Sequence, residues 1–170
     1  MEKQGYTLVQ VMVVVSIISI LLTAGMPSFT DFQQRQHLQQ ILLNAHRLFN
    51  EARQLAILNK NTVTVVVEAS DNWCIGATKE AMCDCHQVAS CSLNDRPMQV
   101  SGTHTGIKLA DTRKQAIAKV MFAGGYGTAY GSATTLTFTS NIGVGKVVIN
   151  NLGRVRLCAD NSTSIGLPQC

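Results

Sequence analysis

Between Gln4 and Thr30 the chain carries no Asp, Glu, Lys, Arg or His. Within that stretch, Leu8 to Met26 is 19 residues, 14 of them apolar. As a helix this run would be about 28 Å long, close to the hydrocarbon thickness of a bilayer. A helix that is apolar on every side has to be covered, by lipid or by other protein. The run is too long for the core of a secretory signal, and Pro27-Ser28-Phe29 makes a poor cleavage exit. The whole chain is 46% hydrophobic and 14% charged, which excludes disorder as its main state. A length of 170 residues supports one domain plus an appended segment.

After Pro27 the pattern changes to a helical period. Leu38, Ile41, Leu42, Ala45, Leu48, Phe49, Ala52, Leu55 and Ala56 follow i, i+3, i+4, i+7 spacing, with Gln, Arg and Glu filling most of the other side. His37 and His46 on this helix read as partly exposed polar positions, with no metal or catalytic motif around them. Asn59-Lys60-Asn61 ends the helix before a β-branched run. Strands are expected at Thr62 to Val67 and Trp73 to Ala77, with Asp71-Asn72 turning between them. Further strands are expected at Met98 to Val100, Ile107 to Leu109, Val120 to Phe122, Leu136 to Thr139, Lys146 to Ile149 and Arg154 to Leu157. One long helix followed by short strands predicts an α+β domain, an antiparallel sheet packed on the helix.

The stretch Gly5-Tyr6-Thr7-Leu8-Val9-Gln10, with its apolar continuation and Pro27, resembles the processing site of type IV prepilins. The Trp73-Cys74-Ile75-Gly76 strand after the helix is similar to the FimT/GspH-like branch of minor pilins. The resemblance implies the type IV pilin fold, with residues 1–5 as a leader, 6–27 as a transmembrane and filament-core helix, and 28–170 as the globular domain. It implies cleavage by prepilin peptidase after Gly5 and methylation of the new N-terminus at Tyr6. It also implies insertion in the inner membrane with the C-terminal domain in the periplasm, then assembly with other pilins at the cell surface. The family usually has Glu at the fifth mature position, where it pairs with a neighbouring subunit's amine. Here that position is Gln10, an acceptor without charge, which favours a minor subunit over a major one.

Cys74, Cys83, Cys85, Cys91, Cys158 and Cys170 permit 15 disulfide pairings. Cys158 and Cys170 bracket the C-terminal tail, and their bond would close a loop contributing about 3 kcal/mol in chain entropy. The other four share two bonds whose order stays open. Cys83-Asp84-Cys85-His86 with Cys91 is an alternative zinc set, but it lacks the usual two-residue ligand spacing. A periplasmic domain favours disulfides. The glycine-rich Ala123 to Ser132 stretch lacks the Gly-Lys-Ser/Thr of a phosphate loop and reads as a mobile loop, with base stacking by Tyr126 and Tyr130 as a second reading.

Gly153-Arg154-Val155-Arg156 carries the most chemistry in the soluble part. In a strand, Arg154 and Arg156 share one face and Val155 and Leu157 the other. Turning Val147 and Ile149 to the same core requires an odd loop, Asn150-Asn151-Leu152 closed by Gly153. That register sets Val148 opposite Arg154 and Lys146 opposite Arg156, three cations on one surface that an anionic partner would relieve. Charge distribution agrees: Tyr6 to Asp95 holds five Lys/Arg against seven Asp/Glu, net −2, and Arg96 to Cys170 holds eight against two, net +6. Such asymmetry points to a nucleic-acid partner. The Gly-Arg-x-Arg pattern is similar to that of FimT-type pilins, which implies double-stranded DNA captured during natural transformation. Lys146, Arg154 and Arg156 would meet phosphates, with Lys114 and Lys119 in support. The alternative is a priming minor pilin, or a GspH-like pseudopilin of type II secretion, acting only through protein contacts. No catalytic motif, paired carboxylates or cofactor signature argues for an enzyme.

Overall fold

The computed structural model describes residues 7–70, 72–87, 89–102, 106–160 and 165–170, with the backbone alone for 22–28. Gly5, Tyr6 and Asp71 lie outside the described residues. Two compact units divide the chain, Met1–Gln34 and Arg35–Cys170, and the residues of helix α1 (Leu8–Asn59) fall in both.

In the first unit α1 opens on a reciprocal cap. The Thr7 N–H donates to Gln10 Oε1 at 3.0 Å, and the Gln10 N–H reaches Thr7 Oγ1 at 3.4 Å. This is a Thr-x-x-Gln capping box, which satisfies two donors that a helix start would otherwise leave open. The hydroxyls of Ser16 and Ser19 turn back to the carbonyls of Met12 and Val15, each at 2.8 Å. Polar groups in this segment are thus spent locally, and its surface is apolar all round, with Leu8, Val11, Val14, Ile18 and Leu21 all exposed. Among the described residues, no helix is long and apolar enough to cross a membrane. The described side chains from Leu8 to Leu21 make about 21 Å of apolar helix, short of the roughly 30 Å hydrocarbon layer.

In the second unit the helical period is realised. Leu38, Ile41, Leu42, Ala45, Leu48, Phe49, Ala52 and Ala56 are buried in one core, and Leu55 packs at its margin. Each fully buried Leu or Phe among them contributes about 1.5–3 kcal/mol. His46 sits within reach of the Asn50 side-chain amide at 3.0 Å, and His37 is exposed, so both are ordinary polar positions of the helix. Two four-stranded antiparallel sheets, rather than the single sheet expected, cover the stripe. The first, in the order β5-β2-β1-β7, comprises β5 (Gln99–Ser101), β2 (Cys74–Thr78), β1 (Val63–Glu68) and β7 (Ile117–Phe122). The second, β10-β9-β8-β6, comprises β10 (Val155–Ala159), β9 (Gly143–Ile149), β8 (Thr134–Ser140) and β6 (Lys108–Asp111). A small hairpin, β3 (Ser92–Leu93) with β4 (Arg96–Pro97), completes the elements. Trp73 is fully buried in the core, donating from Nε1 to the Ile107 carbonyl at 2.7 Å and meeting Phe138 edge-on at 5.3 Å.

The free edge of β7 is closed by side chains from around the second sheet. Ser132 Oγ accepts the Met121 N–H at 3.0 Å, and Arg113 donates to the Lys119 carbonyl at 3.0 Å. Occupied backbone groups leave little for another strand to pair with. Arg113 is itself fixed by the buried Asp111 carboxylate at 3.1 Å, which also accepts the Thr134 hydroxyl.

All six cysteines are paired. Cys158–Cys170 forms as expected, and the remaining four resolve into Cys74–Cys85 and Cys83–Cys91. Both of these bonds sit over Gly76, where any Cβ would collide with Cys91 and Cys85. With every sulfur in a disulfide, the Cys83-Asp84-Cys85-His86 set has no thiolate to offer a zinc ion. Cys158–Cys170 holds the tail against the second sheet, where Ala159 pairs with Gln169. Denatured, unreduced protein should therefore titrate no thiols, and peptide mapping should return these three bonds. Any free thiol, or a Cys83–Cys85 peptide, contradicts the arrangement.

Candidate functional site

The β9–β10 hairpin is built differently from its sequence expectation. Val155 pairs with Ile149, Arg156 with Val148 and Cys158 with Lys146. The expected register, Arg154 with Val148 and Arg156 with Lys146, is therefore displaced by two residues. The loop is odd in length, as the pattern of apolar residues demanded, but it runs from Asn150 to Arg154. Arg154 is thus part of the turn and not of the strand. Its N–H donates to Asn150 Oδ1 at 2.8 Å, and its carbonyl accepts the Asn150 N–H at 3.2 Å. Because the slip is even, each residue keeps its face. Val147, Ile149 and Val155 enter the core, while Arg156 is exposed.

Gly153 makes this turn possible. Its φ is +76°, a left-handed conformation that L side chains rarely adopt, and a Cβ there would overlap the Gly127 carbonyl oxygen. That same oxygen accepts the Arg53 guanidinium from α1 at 3.0 Å. The neighbouring turn is tied down as well. The Gly125 N–H caps the Ala56 carbonyl near the helix end at 3.0 Å, and the Ala129 N–H donates to the Asn151 carbonyl at 3.0 Å. The glycine-rich segment expected to be a mobile loop is instead a bonded bridge from the end of α1 to the arginine hairpin. Arg53 is a positioning residue that the sequence did not single out, because its partner lies 74 residues away.

The other proposed cations are scattered. Lys146 shares the outer face of the second sheet with Arg156, but its Nζ pairs with Asp160 at 2.6 Å. Lys114 lies in the turn after β6, with φ of 54°, and Lys119 is on β7 in the first sheet. Since β6 and β10 are opposite edges of the second sheet, three strand spacings or about 14 Å separate them. Lys108 on β6 does lie on the outer face with Lys146, through Ala110, Thr137 and their pairings. Its alternation with Leu109 and Asp111 was the signal that could have found it. Gln10, expected as an assembly residue, is engaged in the Thr7 capping box.

The family model for the type II transport protein GspH matches residues 44–153. The chain belongs to the GspH family. The matched span opens within the buried stripe of α1, takes in both sheets through β9, and closes at Gly153, so Arg154 and Arg156 lie just outside it. The fold of this GspH-family chain is the type IV pilin fold. It is similar to a crystal structure of the type IV minor pilin FimU from Pseudomonas aeruginosa, with TM-score 0.52 and 18% identity over 74% of this chain and 91% of FimU. FimU in a second crystal form gives 0.48 and 17% over 72% and 90%. No curated protein matches the chain.

Gly153→Ala combines an unfavourable φ with a backbone overlap, so it should destabilise the fold by at least about 1–3 kcal/mol in urea unfolding. Wild-type stability in that variant would show that the close approach of the two turns is not present.

Proposed function

We propose that the chain is a minor pilin of a type IV pilus that binds double-stranded DNA through its β9–β10 hairpin during natural transformation. One observation carries the reading. Arg154 and Arg156 are both exposed, and among the described residues neither guanidinium meets a carboxylate. A pair of unspent cations on a fixed hairpin suits phosphate oxygens, which such groups bind without regard to base sequence. Lys146 can join them when a phosphate competes with Asp160. Lys114, after the other edge of the second sheet, and Lys119, on the first sheet, would act only on a ligand long enough to reach them.

In this reading prepilin peptidase removes residues 1–5, residues 6–27 anchor the chain in the inner membrane, and the mature subunit then enters the pilus with other pilins. Support comes from the apolar surface of Leu8 to Leu21 and the internally satisfied hydroxyls of Ser16 and Ser19, since a helix of that kind needs a lipid or protein cover. Nothing in this reading calls for catalysis or a cofactor. The GspH family favours a second reading, a pseudopilin of type II secretion acting through protein contacts.

Titration of a DNA duplex across a salt series distinguishes the two. Neutralised phosphates release counterions at about 0.9 in log–log slope each, so Arg154→Gln with Arg156→Gln should lower the slope by about 2 and weaken binding at all sequences. Unchanged affinity and slope would remove the hairpin from DNA binding and leave the protein-contact reading.

A further inference from the structure

The turn that packs on Gly153 carries two tyrosines that point into solvent. Tyr126 is 81% exposed and Tyr130 86%, and beside them Leu152 at the hairpin tip is 71% exposed. Isolated exposed apolar residues are ordinary on a protein surface, but these three share one end of the second unit. The Ala129–Asn151 hydrogen bond and the Gly127–Gly153 approach hold their two turns together. The glycine-rich segment is also closed on itself, by Ala123 N–H to the Thr128 carbonyl and Gly127 N–H to the Ala123 carbonyl, each at 2.8 Å. Rings on so firmly bonded a backbone lose little freedom on binding, having only two side-chain torsions each.

The charge around them is one-sided. Residues 123–133 and 150–153 contain no ionisable group except the two phenols, and the next residue is Arg154. Exposed aromatic rings on a turn packed against Gly153, followed by an Arg154 that meets no carboxylate among the described residues, are the parts of a single-strand binding platform. A duplex offers the arginine its phosphates but keeps its base faces stacked on one another. A strand with unpaired bases offers both.

We propose that Tyr126 and Tyr130 form a stacking site for unpaired bases, with Arg154 holding the adjoining phosphate, so that the hairpin end also takes single-stranded nucleic acid. The site rests on the nucleic-acid reading of the hairpin and adds unpaired strands to the duplexes that Arg154 and Arg156 would hold. Bases stack on the two rings, Leu152 packs against the base or sugar edge, and the glycine bridge keeps the rings in place. Sequence preference is weak, because every base has a face to stack.

The test titrates the full chain with three probes of equal phosphate number: a thymidine oligomer, the same oligomer made abasic, and a duplex. The base-bearing strand should bind about 5-fold to 150-fold more tightly than the abasic one for each stacked base. Tyr126→Ala with Tyr130→Ala should abolish that difference and leave duplex affinity unchanged, while Tyr126→Phe with Tyr130→Phe should keep it. Because the phenylalanine pair retains the rings, it separates stacking from any change in folding. Equal affinity for base-bearing and abasic strands, with duplex binding still dependent on Arg154 and Arg156, overturns the tyrosine site alone. Strand binding without duplex binding supports the tyrosine site and overturns duplex capture. No binding to any probe at low salt overturns both, and a protein partner for this surface then takes their place.

Discussion

The carbonyl oxygen of Gly127 is the point at which three parts of the second unit meet. Arg53 from the helix donates to it, and Gly153 of the arginine hairpin lies so close to it that no side chain would fit there. The turn bearing the oxygen is fixed in turn to the helix end at Ala56. A left-handed glycine, a charged hydrogen bond and a capped helix carbonyl therefore jointly set where Arg154 stands. Gly153 belongs to the architecture, and the arginines that follow it meet no carboxylate among the described residues.

A similar economy governs the charges. The C-terminal half has a net charge of +6, but its cations are not equivalent. Arg113 is fixed by buried Asp111 and used to close the β7 edge, and Lys146 is paired with Asp160. Arg154 and Arg156 have no such partner among the described residues. Burial and pairing, more than the count of basic residues, decide which of them can answer an anionic ligand. At the other end of the chain, polar groups are consumed locally by the Thr7–Gln10 box and the two serine back-bonds. What remains outside is apolar surface that calls for a partner.

Several of these features were legible in the sequence. The stripe from Leu38 to Ala56 follows from a local period, and the Cys158–Cys170 bond from two cysteines bracketing a short tail. Face alternation in the last hairpin also survived, since it depends only on parity. Its register did not, because Arg154 joined the turn, and the reason lies in an approach to Gly127 that local spacing cannot reveal. The bonding of the glycine-rich stretch is hidden from the sequence for the same reason. Its glycines permit close packing on Ile57, Lys60 and Arg53, which becomes visible only when distant segments are brought together. Net charge groups Lys114 and Lys119 with the arginines, but it does not say which sheet or edge a residue occupies.

In the proposed reading the glycine seat positions the arginines for an anionic strand. The most direct measurement is the salt dependence of nucleic-acid binding by Gly153→Ala, which leaves every charge in place. If the seat matters, the folded variant loses affinity and shows a shallower log–log salt slope than the wild type, as displaced arginines neutralise fewer phosphates. An unchanged slope and affinity, with the fold intact, would show that the seat does not set where the arginines act.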